Sequence, residues 1–159
     1  MAVTKITYAN SAAITITLNS LAHSATAGRE STAIDNSTNV YDDAFVTVIC
    51  VTDATTIAAD QAVYVYAYAS EDGTNYTDNA TGTDAGITLR SPTNLVLLGV
   101  IATPTASATY KKTFTVAPAF GGILPRKWGI VVRPYAAASS GLASSGNSAS
   151  YTGITYTTV

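Results

Sequence analysis

The first chemistry to test in this sequence is that of its single histidine, His23. A hydrolytic triad needs the imidazole beside a serine or threonine nucleophile and a carboxylate. No GxSxG elbow occurs, and the serine-rich segment 142–148, LASSGNS, lacks both the spacing and the strand–turn–helix context of one. We therefore predict no catalytic residue and interpret His23 as a loop residue.

Carboxylates offer two further kinds of chemistry. A glycosidase needs two facing carboxylates and usually several aromatic platforms, whereas the ten acids here accompany one tryptophan. The segment 71–79, EDGTNYTDN, could surround a calcium ion with the oxygens of Asp72, Asn75, Asp78 and Asn79. It departs from the EF-hand pattern, however, and matches ordinary turn chemistry. The sequence thus predicts no enzyme, no metal site and no cofactor.

The stretch 27–36, AGRESTAIDN, is the densest charged patch in the first half of the chain. The planar guanidinium of Arg29 can form paired hydrogen bonds with a carboxylate. Glu30 or Asp35 could supply that carboxylate within the loop, as an internal clasp, or a partner protein could supply it. Both interpretations stay open, and Arg29 and Glu30 are candidate contact residues.

The only tryptophan lies in the segment 120–135, FGGILPRKWGIVVRPY, among three basic residues. Successive side chains of a strand point to opposite faces, so Trp128 shares one face with two aliphatic residues while Lys127 and Arg133 lie on the other. We predict that Trp128 anchors the core and that Pro134 ends the strand or marks an edge. Lys127 and Arg133 are candidate contact residues.

Composition argues against several classes of partner. The net charge of −2 and the pI near 5.1 argue against nucleic-acid binding, which needs clustered cations. No apolar run approaches the roughly 18 residues of a membrane helix.

Cys50 lies in an apolar run and is expected to be a small buried hydrophobe. The opening segment shows no secretory signal, so we expect synthesis in the cytoplasm.

The proportions of hydrophobic and charged residues bear on whether the chain folds and whether it packs against other proteins. Hydrophobic residues make up 47% of the chain and charged residues 11%, against about 25% charged in average proteins. Such a chain should fold, because disordered chains combine low hydrophobicity with high charge. Interfaces are depleted in Lys and Glu, so the low charge favours a protein that packs against others.

Short β-branched or aromatic runs separated by turn formers predict an all-β chain. The predicted strands lie at 13–18, 44–52, 62–70, 95–102, 109–117, 126–133 and 150–158, with a short eighth near 86–90. Helix is expected only in short pieces, such as 57–61. We predict one domain over residues 1–159, a β-sandwich of jelly-roll or Greek-key type with little or no helix.

One predicted strand raises the question of what covers its second face. The run AVYVYAYAS places Tyr64, Tyr66 and Tyr68 on the face opposite its small aliphatic residues. A long loop, the amino-terminal segment or another subunit could cover them. Tyrosine is favoured at interfaces for its large apolar body and polar tip, so these three are candidate contact residues.

The connections are long, polar and built of small residues. Segments 19–40 and 71–85 collect turn formers, and 136–149 is a low-complexity Ala/Ser loop. Residues 1–12 are expected to form an extended arm that could add a strand to the exposed sheet edge of a neighbour.

Two blocks of the chain, "SLA…AGRESTAIDN" leading into "NVYDDAFVTV", and "FGGILPRKWGI", resemble a family of short structural proteins of tailed bacteriophages, of the head decoration or cement type. The resemblance covers about residues 18 to 135, and neither block is a catalytic signature. It implies a non-enzymatic β-sandwich that binds the major capsid protein lattice and neighbouring copies of itself. The Ala/Ser-rich segment after Tyr135 departs from the family pattern.

The function expected from the sequence is therefore decoration and stabilisation of a phage head by a homo-oligomer on the capsid surface. The alternative is a carbohydrate- or receptor-binding β-sandwich module of a tail or head fibre. That module would need an exposed aromatic platform, for which Tyr76 in the segment 71–79 is the candidate.

Overall fold

The computed structural model describes residues 3–55, 61–135 and 141–158, and nearly all of their regular structure is strand. In these ranges the strands are β1 (Thr4–Tyr8), β2 (Ala12–Ala13), β3 (Ala27–Glu30), β4 (Ile34–Asp35), β5 (Asp43–Val51), β6 (Ala62–Ser70), β7 (Ala85–Thr88), β8 (Val96–Ala102), β9 (Thr109–Thr115), β10 (Lys127–Tyr135) and β11 (Ser148–Thr158). The helical pieces are one turn, α1 (Asn36–Asn39), and a 3₁₀ turn, Ala117–Phe120. Most of the predicted helical piece at 57–61 lies outside the described residues.

The strands form two antiparallel sheets, which confirms the predicted all-β sandwich. The first sheet has the order β1-β11-β5-β9, with β2 also paired to β11. The second has the order β7-β3-β10-β6-β8, with β4 also paired to β10. Seven of the eight predicted strands match strands of these sheets closely.

The strand order is that of a jelly roll. The pairs are nested along the chain: β6 pairs with β8, β5 with β9, β3 with β10, and β1 with β11. Successive pairs alternate between the sheets, as they do when one long antiparallel ribbon is rolled into two layers. Strand β7 extends the second sheet beyond β3.

The main core lies between the sheets and follows the period of two along each strand. In β10, Trp128 is fully buried with its aliphatic neighbours on the same face, as predicted, and its ring packs edge-on against Tyr151 at 5.7 Å between centroids. In β5, Cys50 is fully buried, and burial raises the pKa of its thiol to about 12. The prediction that Cys50 is a small buried hydrophobe is confirmed.

A second apolar cluster lies on the outer face of the second sheet. Tyr66 and Tyr68 of β6 pack there against Ile87, Leu89 and Leu95 from the chain that follows β6. The hydroxyl of Tyr68 donates to the carbonyl of Ser31 at 2.6 Å. Of the covers considered for the tyrosine face, the long loop is the one found over this part of it.

The predicted strand at 13–18 is only partly a strand. Strand β2 contains Ala12 and Ala13, and the chain beyond it joins no ladder. The predicted alternation of faces is nevertheless present, since Ile14 and Leu18 are buried while Thr15 and Thr17 are exposed. The alternation of apolar and polar residues predicts which face of a segment is buried. Whether the segment joins a sheet depends also on a neighbouring strand, which this segment lacks beyond Ala13.

Two segments taken as irregular from the sequence contain strands. Residues 19–40 supply β3 and β4, and at Gly28 an added Cβ would lie 2.9 Å from the carbonyl oxygen of Val132. The predicted arm at 1–12 supplies β1, which pairs with β11 of its own chain. Pro134 does not end its strand, because β10 continues to Tyr135 and Pro134 pairs with Val63.

Candidate interaction surface

The outer face of the second sheet is open at the end of β6 that the loop leaves uncovered. Strand pairing places Arg133 of β10 beside Tyr64 of β6, and Tyr66 beside Leu97 of β8. Tyr135 follows Arg133 on the same face of β10. We call these five residues the Tyr–Arg surface: Tyr64, Tyr66, Leu97, Arg133 and Tyr135. Leu97 is exposed and Tyr64, Arg133 and Tyr135 are half-buried, whereas Tyr66 is buried and supports the others from within the second apolar cluster.

The centre of the Tyr–Arg surface is the guanidinium of Arg133. Its carbon lies 4.8 Å from the ring centroid of Tyr64, 5.7 Å from that of Tyr135 and 5.9 Å from that of Tyr66. Tyr64 and Tyr135 also meet edge to face at 6.1 Å. Each cation–π contact is worth about 0.5–1 kcal/mol at exposed sites, so three together fix the arginine before any partner arrives.

One buried donor of Arg133 has no partner in the described chain. Nη1 donates to the carbonyl of Ala25, whereas Nε is buried and has no hydrogen-bond partner in the described chain. An unsatisfied buried donor is costly, so a change that brings an acceptor to Nε would be favoured. Because Nε itself is buried, what the surface presents to a partner is the tyrosine rings and the face of the guanidinium.

The composition of the Tyr–Arg surface is that of a protein interface. Tyrosine and arginine are enriched at interfaces and dominate their energies. Leu97 is 48% exposed on an edge strand, although it is large and apolar. No acidic residue belongs to the surface, and its one charge is held between rings.

Two of the candidate contact residues lie inside the fold. Tyr68 is 0% exposed and Glu30 is 1% exposed. The Glu30 carboxylate accepts hydrogen bonds from the backbone N–H of Thr81 at 2.9 Å and from its hydroxyl at 2.6 Å. Their side chains anchor the loop over the sheet, which corrects the prediction that they contact a partner.

Lys127 lies at the other end of β10 from Arg133. Their positions differ by six residues, which corresponds to about 20 Å along the strand. Nζ of Lys127 lies 3.9 Å from Oδ2 of Asp35 and 3.5 Å from the carbonyl oxygen of Gly73. The structure therefore separates the two basic candidates of this strand, and only Arg133 belongs to the Tyr–Arg surface.

Arg29 forms an internal clasp, but with a different acid from either one considered. Its Nε donates to Oδ1 of Asp84 at 2.5 Å, and its Nη2 donates to the Asp84 carbonyl at 2.9 Å. Thr17 donates to the same carboxylate through its N–H and its hydroxyl. The hydrogen bond from Arg29 outweighs burial and holds the pKa of Asp84 down at about 2. The clasp ties β3 to the start of β7.

This clasp predicts an acid-dependent loss of stability. The carboxyl of Asp84 titrates near 3.8 when unperturbed and near 2 in the fold, so its stabilisation is complete above about pH 4 and is lost as the pH falls through 2. We expect Asp84→Asn to lower the free energy of unfolding by about 1–2 kcal/mol at pH 6, a figure reduced for partial exposure.

Urea unfolding at pH 6, 4 and 2 tests this expectation. The gap between the wild type and Asp84→Asn should close as the pH falls to 2. Glu71→Gln, a change at an exposed acid, should leave the urea midpoint unchanged throughout. A gap of constant size at all three pH values would contradict the assignment.

His23 lies at a shallow cleft. The cleft has a volume of about 420 Å³ and is lined by the segments 20–23 and 141–144 together with Asp53. Burial opposes ionisation of Asp53, but hydrogen bonds from Thr55 and Gly141 outweigh it and lower the pKa of the carboxyl. No hydrogen bond joins His23 to a serine in the described ranges.

The segment 71–79 forms turns. Asp72 accepts hydrogen bonds from the N–H groups of Thr74 and Asn75, and Asp78 is bound separately by Thr93 and Asn94. Among the described residues, no group of three or more His, Cys, Asp and Glu is placed to hold a metal ion. The two carboxylates thus order the loop at two different points.

Tyr76 also belongs to the packing of this loop. Its ring meets that of Tyr68 edge to face at 5.7 Å, and a side chain at Gly82 would collide with it. The candidate platform for a sugar is therefore held within the second apolar cluster.

Sequence reasoning missed two members of the Tyr–Arg surface. Leu97 stands in LVLLGVIA, a run that is apolar on both faces and so does not mark which leucine is exposed. Tyr135 follows Arg133 at a spacing of two, which is a signal that could have found it. It was missed because Pro134 was expected to end the strand.

No family model, no curated protein and no solved structure matches this chain. In the described part of the chain, no helix has the length and apolar character needed to span a membrane.

Proposed function

We propose that this protein is a virion structural protein of a tailed bacteriophage, which decorates and stabilises the assembled head by binding the major capsid protein lattice. The observation that carries the binding role is the Tyr–Arg surface, where an arginine held between tyrosine rings lies beside a half-exposed leucine. The phage assignment is supported by the resemblance of the two sequence blocks. In this proposal the protein acts by binding the capsid and catalyses no reaction.

The fold is compatible with this function but does not select it. Jelly rolls occur both in viral capsid proteins and in lectin domains. A shared fold does not imply a shared function, so the choice depends on the surface. The ring of Tyr76 packs against Tyr68 and leaves little aromatic surface for a sugar, whereas the Tyr–Arg surface has the residue types of a protein interface. The surface therefore favours a protein partner.

A small contact surface is sufficient for binding to a capsid, because the capsid is a lattice of repeated sites. A capsid presents the same site many times, and copies that bind side by side or are linked gain avidity without new contacts. A few rigid aromatic anchors in each copy are then enough, because preorganised side chains lose little entropy on binding. The low charge of the chain lowers the desolvation cost when this surface is buried.

The test mixes purified protein with capsids that lack it and measures the bound copies by sedimentation. We expect saturation at a fixed number of copies per capsid and a higher temperature of capsid disruption. Capsids already carrying the protein serve as the control and should take up none. Absence of binding at every concentration would overturn the proposal.

A further inference from the structure

The end of the first sheet is a ribbon of two strands. Strand β5 pairs with β11 only as far as Asp43 and Ile154, so the last residues of β11 pair with β1 alone. All five residues of β1 are exposed. Two-stranded ribbons are marginally stable in water without further cover.

Exposed apolar side chains concentrate on this ribbon. Of the seven large apolar or tyrosine side chains that are exposed in the described residues, four lie on it or directly before it: Val3, Ile6, Tyr8 and Tyr156. Ile6 pairs with Tyr156 and shares a face with Tyr8. Lys5 is the only charged residue of the paired segments 4–8 and 154–158.

The outer edge of β1 has a defined set of open backbone groups. Ala9 N–H donates to the Gly153 carbonyl at 2.9 Å, which makes these two a hydrogen-bonded pair. Because antiparallel pairs alternate, Lys5 and Thr7 also bond to β11, whereas the N–H and C=O groups of Thr4, Ile6 and Tyr8 point to the open edge.

A bond on the far side of β11 agrees with this alternation. Tyr156, the partner of Ile6, directs its N–H away from β1 and donates to Oδ2 of Asp42 at 2.7 Å. No described residue bonds to the open groups of β1.

The other sheet edges differ from this one. At the edge of β8, Lys112 donates its ammonium to the carbonyl of Val100 at 2.8 Å. Strand β9 carries Lys111 and Lys112, and β7 has only four residues, one of them Gly86. Lysines and short strands are the usual means by which proteins prevent edge pairing. Strand β1 is also short and carries one lysine, Lys5, but it has an exposed isoleucine, Ile6, at its centre.

We propose that β1 pairs edge to edge with β1 of a second copy of this chain, antiparallel about a two-fold axis at Ile6. Ile6 then lies opposite Ile6 of the second copy, and Thr4 lies opposite Tyr8. This register pairs all the open N–H and C=O groups of both strands, and it places Lys5 opposite Thr7, so no like charges face each other. Because this two-fold contact uses the same strand of both copies, it produces a dimer and leaves no β1 edge open for a third copy.

Sedimentation equilibrium over a range of concentrations tests the pairing in the absence of capsids. The weight-average mass should rise from that of one chain, 16.3 kDa, towards twice that value. Ile6→Pro removes the outward N–H but no bond to β11, so it should keep the mass at one chain while the fold melts as before. Ile6→Val keeps the N–H and should associate like the wild type.

Amide hydrogen exchange gives a readout specific to this register. On association, the N–H groups of Ile6 and Tyr8 should become protected, while those of Lys5 and Thr7 are protected in both states. A single-chain mass at all concentrations, or association that Ile6→Pro leaves unchanged, would overturn the proposal. Because no capsid is present, a failure here is distinct from a failure of capsid binding.

Discussion

Replacing Trp128 with alanine is expected to lower the free energy of unfolding by about 3–5 kcal/mol, the usual range for removing a large aromatic side chain from a core. Trp128 is fully buried between the sheets and packs edge-on against Tyr151. The two sheets share this core, so the cavity would weaken both. Since domains are stable by about 5–15 kcal/mol, the change would remove a large part of the total.

Two further variants make this prediction specific. Trp128→Phe should cost less, because phenylalanine keeps a ring near Tyr151 and the indole Nε1 has no hydrogen-bond partner in the described chain to lose. Ile123→Ala, at a side chain that is 76% exposed, should change stability by less than about 0.5 kcal/mol. Urea unfolding followed by circular dichroism measures all three. A loss below about 1 kcal/mol for Trp128→Ala would contradict its role as the core anchor.

The second large effect concerns capsid binding. If the Tyr–Arg surface is the contact, Leu97→Asp should raise the dissociation constant for capsids about 100-fold, which corresponds to about 2.7 kcal/mol. The introduced carboxylate would have to lose its water at the interface. Leu97 is half exposed on an edge strand, so the urea midpoint should change little.

The matched control places the same charge at another exposed apolar residue. Ile123→Asp lies in the turn before β10, outside the Tyr–Arg surface, and should bind capsids like the wild type. Arg133→Lys keeps the charge but loses the planar group that stacks between the rings, so it should weaken binding. Equal binding by Leu97→Asp and the wild type would exclude this surface as the contact.

The strands were predictable because their signal is local. In β5, β6 and β10, alternating or continuous apolar residues are bounded by turn formers, and these strands were placed within about two residues. The face of Trp128 followed from counting by two. Strand β3 was missed because it is short and contains Gly28, which is needed for close contact with a neighbouring strand rather than for any apolar pattern.

The candidate surface was only partly predictable, because its limits depend on distant residues. The stripe Tyr64, Tyr66 and Tyr68 is uniform in sequence, yet the loop after β6 buries Tyr68 and Tyr66 and leaves Tyr64 half-buried. Arg29 forms its ion pair with Asp84, which lies 55 positions away in sequence, although two acids lie close to Arg29. Local spacing shows which side chains share a face, and only the tertiary fold decides which of them remain exposed.

Hydroxyl-radical footprinting of free and capsid-bound protein tests the central claim most directly, because it reports which side chains become buried on the capsid. If the Tyr–Arg surface is the contact, labelling of Leu97, Tyr64 and Tyr135 falls several-fold on capsids while labelling of Ile123 stays the same. Equal labelling of the Tyr–Arg surface in the free and bound protein would show that this surface does not contact the capsid.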